Sequence, residues 1–173
     1  LRVNVSTSTF VPKPHTPFQW EKQISLSEIR ERQKFLKDLL KRSKNISYSW
    51  HEGTVSFLEA IFSRGDRRLG EVIKIAHEKG CKFDGWDEFF DFDKWMTAFK
   101  EVGISPDFYA YRERSSGEIF PWDVIDPGVT KSFLLAEHDK AHMTKTTQDC
   151  RKHCHACGIK GLGGGLCETS NEI

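Results

Sequence analysis

The stretch LRVNVSTSTFVPKPHTPFQW, residues 1–20, sets the terms for the fold. Val3 and Val5 alternate with Asn4, Ser6 and Ser8, the two-residue period of a strand with one apolar face. Pro12, Pro14 and Pro17 then exclude both helix and central strand, because each lacks an amide hydrogen and fixes its own φ. A short strand thus runs out into a rigid loop carrying His15, Gln19 and Trp20, the form of a barrel strand that ends at a ligand site. A lone strand is not stable by itself, and the rest of the chain offers little to make a sheet. The expectation is an orphan strand in front of a mainly α chain.

Everything beyond residue 24 reads chiefly as helix. Ser25 and Glu28 form a capping box ahead of a helix to about Lys44, with Ile29, Leu36 and Leu40 on one face. NISYSW (residues 45–50) reads as a short strand, and a helix from about Thr54 to Ser63 follows. Asp66 is the expected N-cap of a helix to Lys79, closed by Gly80 as its C′ residue. Asp91 or Asp93 opens the next helix, which ends at Gly103; Ser105-Pro106 starts a short one. A last helix runs from about Val129 to Met143. The division expected is residues 1–24 as strand and Pro-rich loop, 25–145 as a helical body, and 146–173 as a Cys-rich tail.

That tail holds four of the five cysteines. Cys150, Cys154 and Cys157 stand at x3 and x2 spacing, with Cys167 beyond a gap of nine residues. Thiolates so close can converge on one soft metal centre, either zinc or an iron–sulfur cluster. Cys167, His153 or His155 is available as a fourth ligand. Cys81, alone after Gly80, reads as a small buried residue. An odd, clustered set of cysteines argues against a secreted disulfide framework and for a metal site in a reducing compartment, so a cytoplasmic protein is expected.

The 173 residues suffice for one ordinary domain. With 26 Lys and Arg against 25 Asp and Glu, a net charge of +1 gives no electrostatic case for nucleic acid or a membrane surface. No apolar run approaches the roughly 20 residues that span a bilayer. The chain begins at Leu1, which fits a partial chain.

Three further groups invite two readings each. Arg64, Arg67 and Arg68 around Asp66 suit either an anion clamp for phosphate or carboxylate, or an Arg–Asp network holding a helix–helix turn. Trp86 with Asp87 and Glu88, and Trp122 with Asp123 and Asp126, read as packing aromatics with acidic neighbours. His138 and His142 share one helical face. They read as two solvated histidines, with a ligand or supporting role at the cysteine site as the alternative.

VPKPHTPFQW (11–20), SRGDRR (63–68), FDGWDEFF (83–90), FPWDVID (120–126), the helix with Glu137 and Ala141, and TQDC…C..CG (147–158) resemble, in that order, the C-terminal third of a family of radical SAM proteins. Those proteins carry an N-terminal cobalamin-binding-like domain and act on undefined substrates. The resemblance covers residues 5–158. It implies that residues 1–20 are one of the last strands of a radical SAM partial (β/α) barrel, with His15, Gln19 and Trp20 near substrate or S-adenosylmethionine. The rest is then a helical C-terminal extension.

Cys150, Cys154 and Cys157 imitate the spacing of the catalytic radical SAM cluster. Such a cluster follows the first barrel strand, however, and here only 16 residues follow Cys157. An auxiliary site is therefore implied, and this chain alone lacks the catalytic motif. The partners implied are the barrel and the cobalamin-type domain of a parent chain, with S-adenosylmethionine and cobalamin as the parent's cofactors. One departure stands out: the family tail has a fourth Cys where this chain has Lys160. The competing expectation is a free-standing α-helical zinc-binding interaction module.

Overall fold

The computed structural model describes residues 1–162, so Cys167 lies outside the described residues. Two compact units emerge: Leu1–Pro12 with Glu21–Glu113, and Lys13–Trp20 with Arg114–Ile173. Six α-helices dominate among the described residues, with one small sheet.

In the first unit, β1 (Val3–Thr7), α1 (Leu26–Leu40) and β2 (Ile46–Trp50) make a strand–helix–strand unit. The strand expected to be an orphan has a partner. β1 and β2 run parallel, Val3 opposite Ile46 and Thr7 opposite Trp50. Each strand was legible, but parallel pairing depends on a helical crossover between positions 43 residues apart, which a period-two pattern does not reveal. The Thr7 and Tyr48 hydroxyls lie 2.8 Å apart across this pair. Neither strand has a buried residue, whereas parallel sheets are ordinarily covered on both faces.

Two helix starts follow the capping chemistry, whereas the helix expected to be capped by Asp66 starts after Arg68 with no side-chain cap. The Ser25 hydroxyl accepts from the Glu28 amide, and the Asp91 carboxylate from the Lys94 amide. α1 stops at Leu40 rather than Lys44, because the Ser43 amide turns back to the Leu40 carbonyl and Asn45 already accepts from Val3. The helices α2 (Gly53–Ser63), α3 (Leu69–Glu78), α4 (Phe92–Val102) and α5 (Pro106–Ala110) complete the unit. α3 packs on α4, and α2 on α5. Phe57, Ile61, Val72, Trp95, Phe99 and Tyr109 form the core, and Cys81 is buried among them as read. Gly80 and Gly103 end α3 and α4 with φ of +91° and +73°, the left-handed region that glycine enters without strain.

Asp66 sits in the turn before α3 and accepts from the Arg68 amide and from its guanidinium, and the Tyr109 hydroxyl reaches the same carboxylate at 3.2 Å. Those bonds, Arg68's above all, hold the Asp66 carboxyl down at about 2, against a partial burial that acts the other way. A carboxyl lowered in the folded state stabilises fully above its unfolded value near 3.8 and ceases to do so as pH falls toward 2. Because the Arg68 side chain is 60% exposed, we expect the contribution to be about 1 kcal/mol. Asp66→Asn is expected to cost that much at pH 7 and only a small part of it at pH 2, measured by urea unfolding at both pH values.

The second unit is smaller. α6 (Lys131–His142) starts at its N-cap Thr130, whose hydroxyl accepts from the Phe133 amide. Trp20, Phe120, Trp122 and Leu134 form its core. The packing role read for Trp122 therefore holds. Trp86, in the first unit, is instead 58% exposed, alongside exposed Phe83 and Phe89. Those three aromatics cover one another, with Phe83 6.2 Å from Trp86 and 6.0 Å from Phe89 between ring centres.

Candidate metal centre

The cysteine loop is fastened to α6 at both ends. At its start, the Thr147 hydroxyl reaches Glu137 at 2.6 and 2.7 Å, and Lys140 joins the same carboxylate at 2.7 Å. Lys140 and Thr147 together hold the Glu137 carboxyl below its ordinary value. Asp149 then folds the chain back, accepting from the Arg151 amide and guanidinium. At the far end, the Thr130 amide donates to the Cys157 carbonyl at 2.8 Å. A first-turn amide that no helical carbonyl can reach is thus satisfied by the loop.

Gly158 makes that docking possible. Its φ is +108°, and a Cβ there would stand 2.7 Å from Thr130 Cγ2 and 2.8 Å from the Gly128 carbonyl oxygen. Gly158→Ala is expected to cost about 1–3 kcal/mol of local stability. Faster hydrogen exchange at the Thr130 amide, with α1–α5 unchanged, is the expected signature.

Within the loop, Cys150 is exposed while Cys154 and Cys157 are half-buried. His155 Nε2 donates to the Gln148 carbonyl at 3.0 Å, which leaves Nδ1 as its ligand atom. His153 faces His155 with ring centres 5.1 Å apart. A single tetrahedral zinc, with Zn–S bonds of about 2.3 Å, sets its thiolates roughly 3.8 Å apart. A four-iron cluster gives each cysteine its own iron and spaces the sulfurs more widely. Exposed Cys150 and half-buried Cys154 and Cys157 thus stand on a loop tied at both ends, and either group is open to them.

The other nominated residues are placed differently. His15, Gln19 and Trp20 are brought together in the second unit, yet Gln19 and Trp20 point inward, 2% and 3% exposed. Gln19 Oε1 accepts from the His15 amide at 3.1 Å and from Trp122 Nε1 at 2.8 Å. Trp20 packs on Phe120 and on the ring of His138. His15 is half-buried with a positive φ of 55°.

The three arginines do not converge as a clamp. Arg64 is buried and donates to the carbonyls of Ala110 and Arg112, at 2.7 and 2.5 Å. Arg68 is committed to Asp66, and Arg67 is exposed. What forms is the Arg–Asp network of the second reading, with Arg64 serving the end of α5.

Two features escaped the sequence reading. Thr130, Thr147 and Glu137 were given no role, although a Thr and an Asp just before the first Cys, and a Gly after the third, are the signals of a tied loop. The other is a cleft of about 500 Å³ in the first unit, directly after β1, lined by Thr7, Phe10, Lys22, Ile29, Arg32 and Leu36. No protein-family model matches the chain, and neither a curated protein nor a solved structure gives a significant match. Among the described residues, no helix is long and apolar enough to cross a membrane.

Proposed function

We propose that the chain is the C-terminal portion of a radical SAM enzyme, whose parent cleaves S-adenosylmethionine at an upstream four-iron cluster, and that Cys150, Cys154 and Cys157 hold an auxiliary iron–sulfur cluster. The observation that carries the reading is the β1–α1–β2 unit: two parallel strands, bridged by a helix and left without a buried face. Such a pair is what the end of a (β/α) barrel contributes, and parallel strands ordinarily lie between covering layers. Phe35 and Leu39 on α1 are exposed in the same region, consistent with further chain packing there. The cleft after β1 lies at a strand's carboxyl end, where open parallel sheets place their ligands.

When bound, an auxiliary cluster supplies an electron relay or an open iron as a Lewis acid. The chain's own residues then do the holding. Glu137 and Thr147 anchor the loop ahead of Cys150, Thr130 and Gly158 anchor it behind Cys157, and His155 is turned by the Gln148 carbonyl. Anaerobic reconstitution of the full chain with ferrous iron and sulfide is expected to give a brown protein with a broad visible charge-transfer band. Cys154→Ser is expected to lose that band. A colourless product carrying stoichiometric zinc would overturn the cluster assignment.

A second reading, a free-standing helical module that binds zinc and a protein partner, is favoured by the exposed Phe83, Trp86 and Phe89 rings. The zinc outcome above supports it.

A further inference from the structure

His138 and His142 are four residues apart on α6 and share a face. Their Nε2 atoms are 3.1 Å apart, and the ring centres 4.5 Å. Two imidazole nitrogens on one metal ion, each bound at about 2.05 Å, stand roughly 2.9 Å apart at a right angle and roughly 3.3 Å apart at the tetrahedral angle. The observed separation lies between those limits.

The pair is also held rather than loose. The His138 side chain is only 15% exposed, and its ring packs against Trp20 at 5.6 Å and Phe18 at 6.2 Å. Asp139 Oδ1 lies 3.7 Å from His138 Nδ1, so a carboxylate stands near the ring nitrogen opposite His142. At 3.1 Å a single proton between the two Nε2 atoms suffices to join them. Exchanging it for a cation leaves both heavy atoms where they stand.

We propose that His138 and His142 form a second metal site that takes a divalent late first-row ion (zinc, nickel or copper) through their two Nε2 atoms. Imidazole suits these ions, and water or an oxygen ligand completes the coordination. The residue after His138 is Asp139, not the Glu that a metalloprotease helix places there, so the site binds or senses metal rather than hydrolysing peptides. Its donors are distinct from the cysteine loop, and it does not rest on the cluster reading.

The test uses the full chain carrying Cys150→Ser, Cys154→Ser, Cys157→Ser and Cys167→Ser, so that thiolates cannot take the ion. Titration with zinc chloride, followed by calorimetry and imidazole nitrogen-15 NMR, is expected to show stoichiometric binding. The Nε2 resonances of His138 and His142 are expected to shift, and those of His77 to stay. His142→Ala is expected to weaken binding at least about tenfold. His142 is exposed, so the substitution leaves the fold in place, checked by circular dichroism. Unmoved Nε2 resonances at both histidines, or undiminished affinity in His142→Ala, would sink the proposal. If the cysteine-free chain fails to fold, the same NMR titration on the native chain decides the matter, because metal on the thiolates leaves these two Nε2 atoms unshifted.

Discussion

Arg64→Ala is expected to lower the unfolding free energy of the first unit by about 3–5 kcal/mol, measured by urea titration with helical circular dichroism as the signal. The argument starts from α5, a helix of five residues that ends at Ala110. Its last carbonyls have no helical partner, and the bond that Ala110 accepts is buried. Arg64, the C-cap residue of α2, sends one guanidinium nitrogen to the Ala110 carbonyl and the other to Arg112. Each bond has a charged donor, and the carbonyls are at the negative end of a helix. Removing the side chain strands one buried and one part-buried acceptor and leaves a cavity the length of an arginine.

The control is Arg64→Lys, which keeps the charge but offers a point donor where two diverging contacts are needed. It is expected to recover less than half of the loss. A chain with Arg64→Ala as stable as the native one would show that these carbonyls do not depend on the guanidinium.

Arg64 also shows what the sequence could and could not disclose. Helix starts and stops were legible at Ser25, Asp91, Gly80 and Gly103, because caps are local chemistry that needs no knowledge of the fold. The two strands were legible for the same reason. Their pairing was not, since a parallel register is set by the crossover between them. Polar residues in loops were misplaced most often. An Arg next to Gly-Asp, or a Gln after a Pro-rich run, looks like a ligand contact because nothing local shows which backbone groups need satisfying. Trp86 erred in the opposite direction. Placed among five acidic residues it was assigned to packing, but the turn at Phe83, with φ of +60°, stands the segment's rings outward. For the cysteine loop, spacing singled out Cys150, Cys154 and Cys157, while the anchors Thr130 and Glu137 became visible only when α6 and the loop were seen together.

Gln19→Met is expected to cost about 2–4 kcal/mol in the second unit, a loss of the same origin as that at Arg64. Met has nearly the volume of Gln, so cavity formation contributes little and the missing acceptor dominates. Gln19 Oε1 serves two donors, the His15 amide and the Trp122 indole N–H, and Trp122 is 7% exposed. Without that oxygen a buried indole donor has nowhere to bond, and the Pro-rich loop loses its tie to the segment at Phe120–Asp123. The measurement is specific: the Trp122 indole proton is expected to move upfield in NMR and to exchange faster, ahead of any global unfolding. An unchanged indole proton in Gln19→Met would return Gln19 to the ligand-facing role that its loop position suggests. Burial at 2% argues the other way, because a side chain so buried reaches a ligand only if the loop first opens. Loop opening would break both bonds at Gln19 Oε1, so whatever the PKPHTPFQW segment binds must first overcome the stability that Gln19 provides.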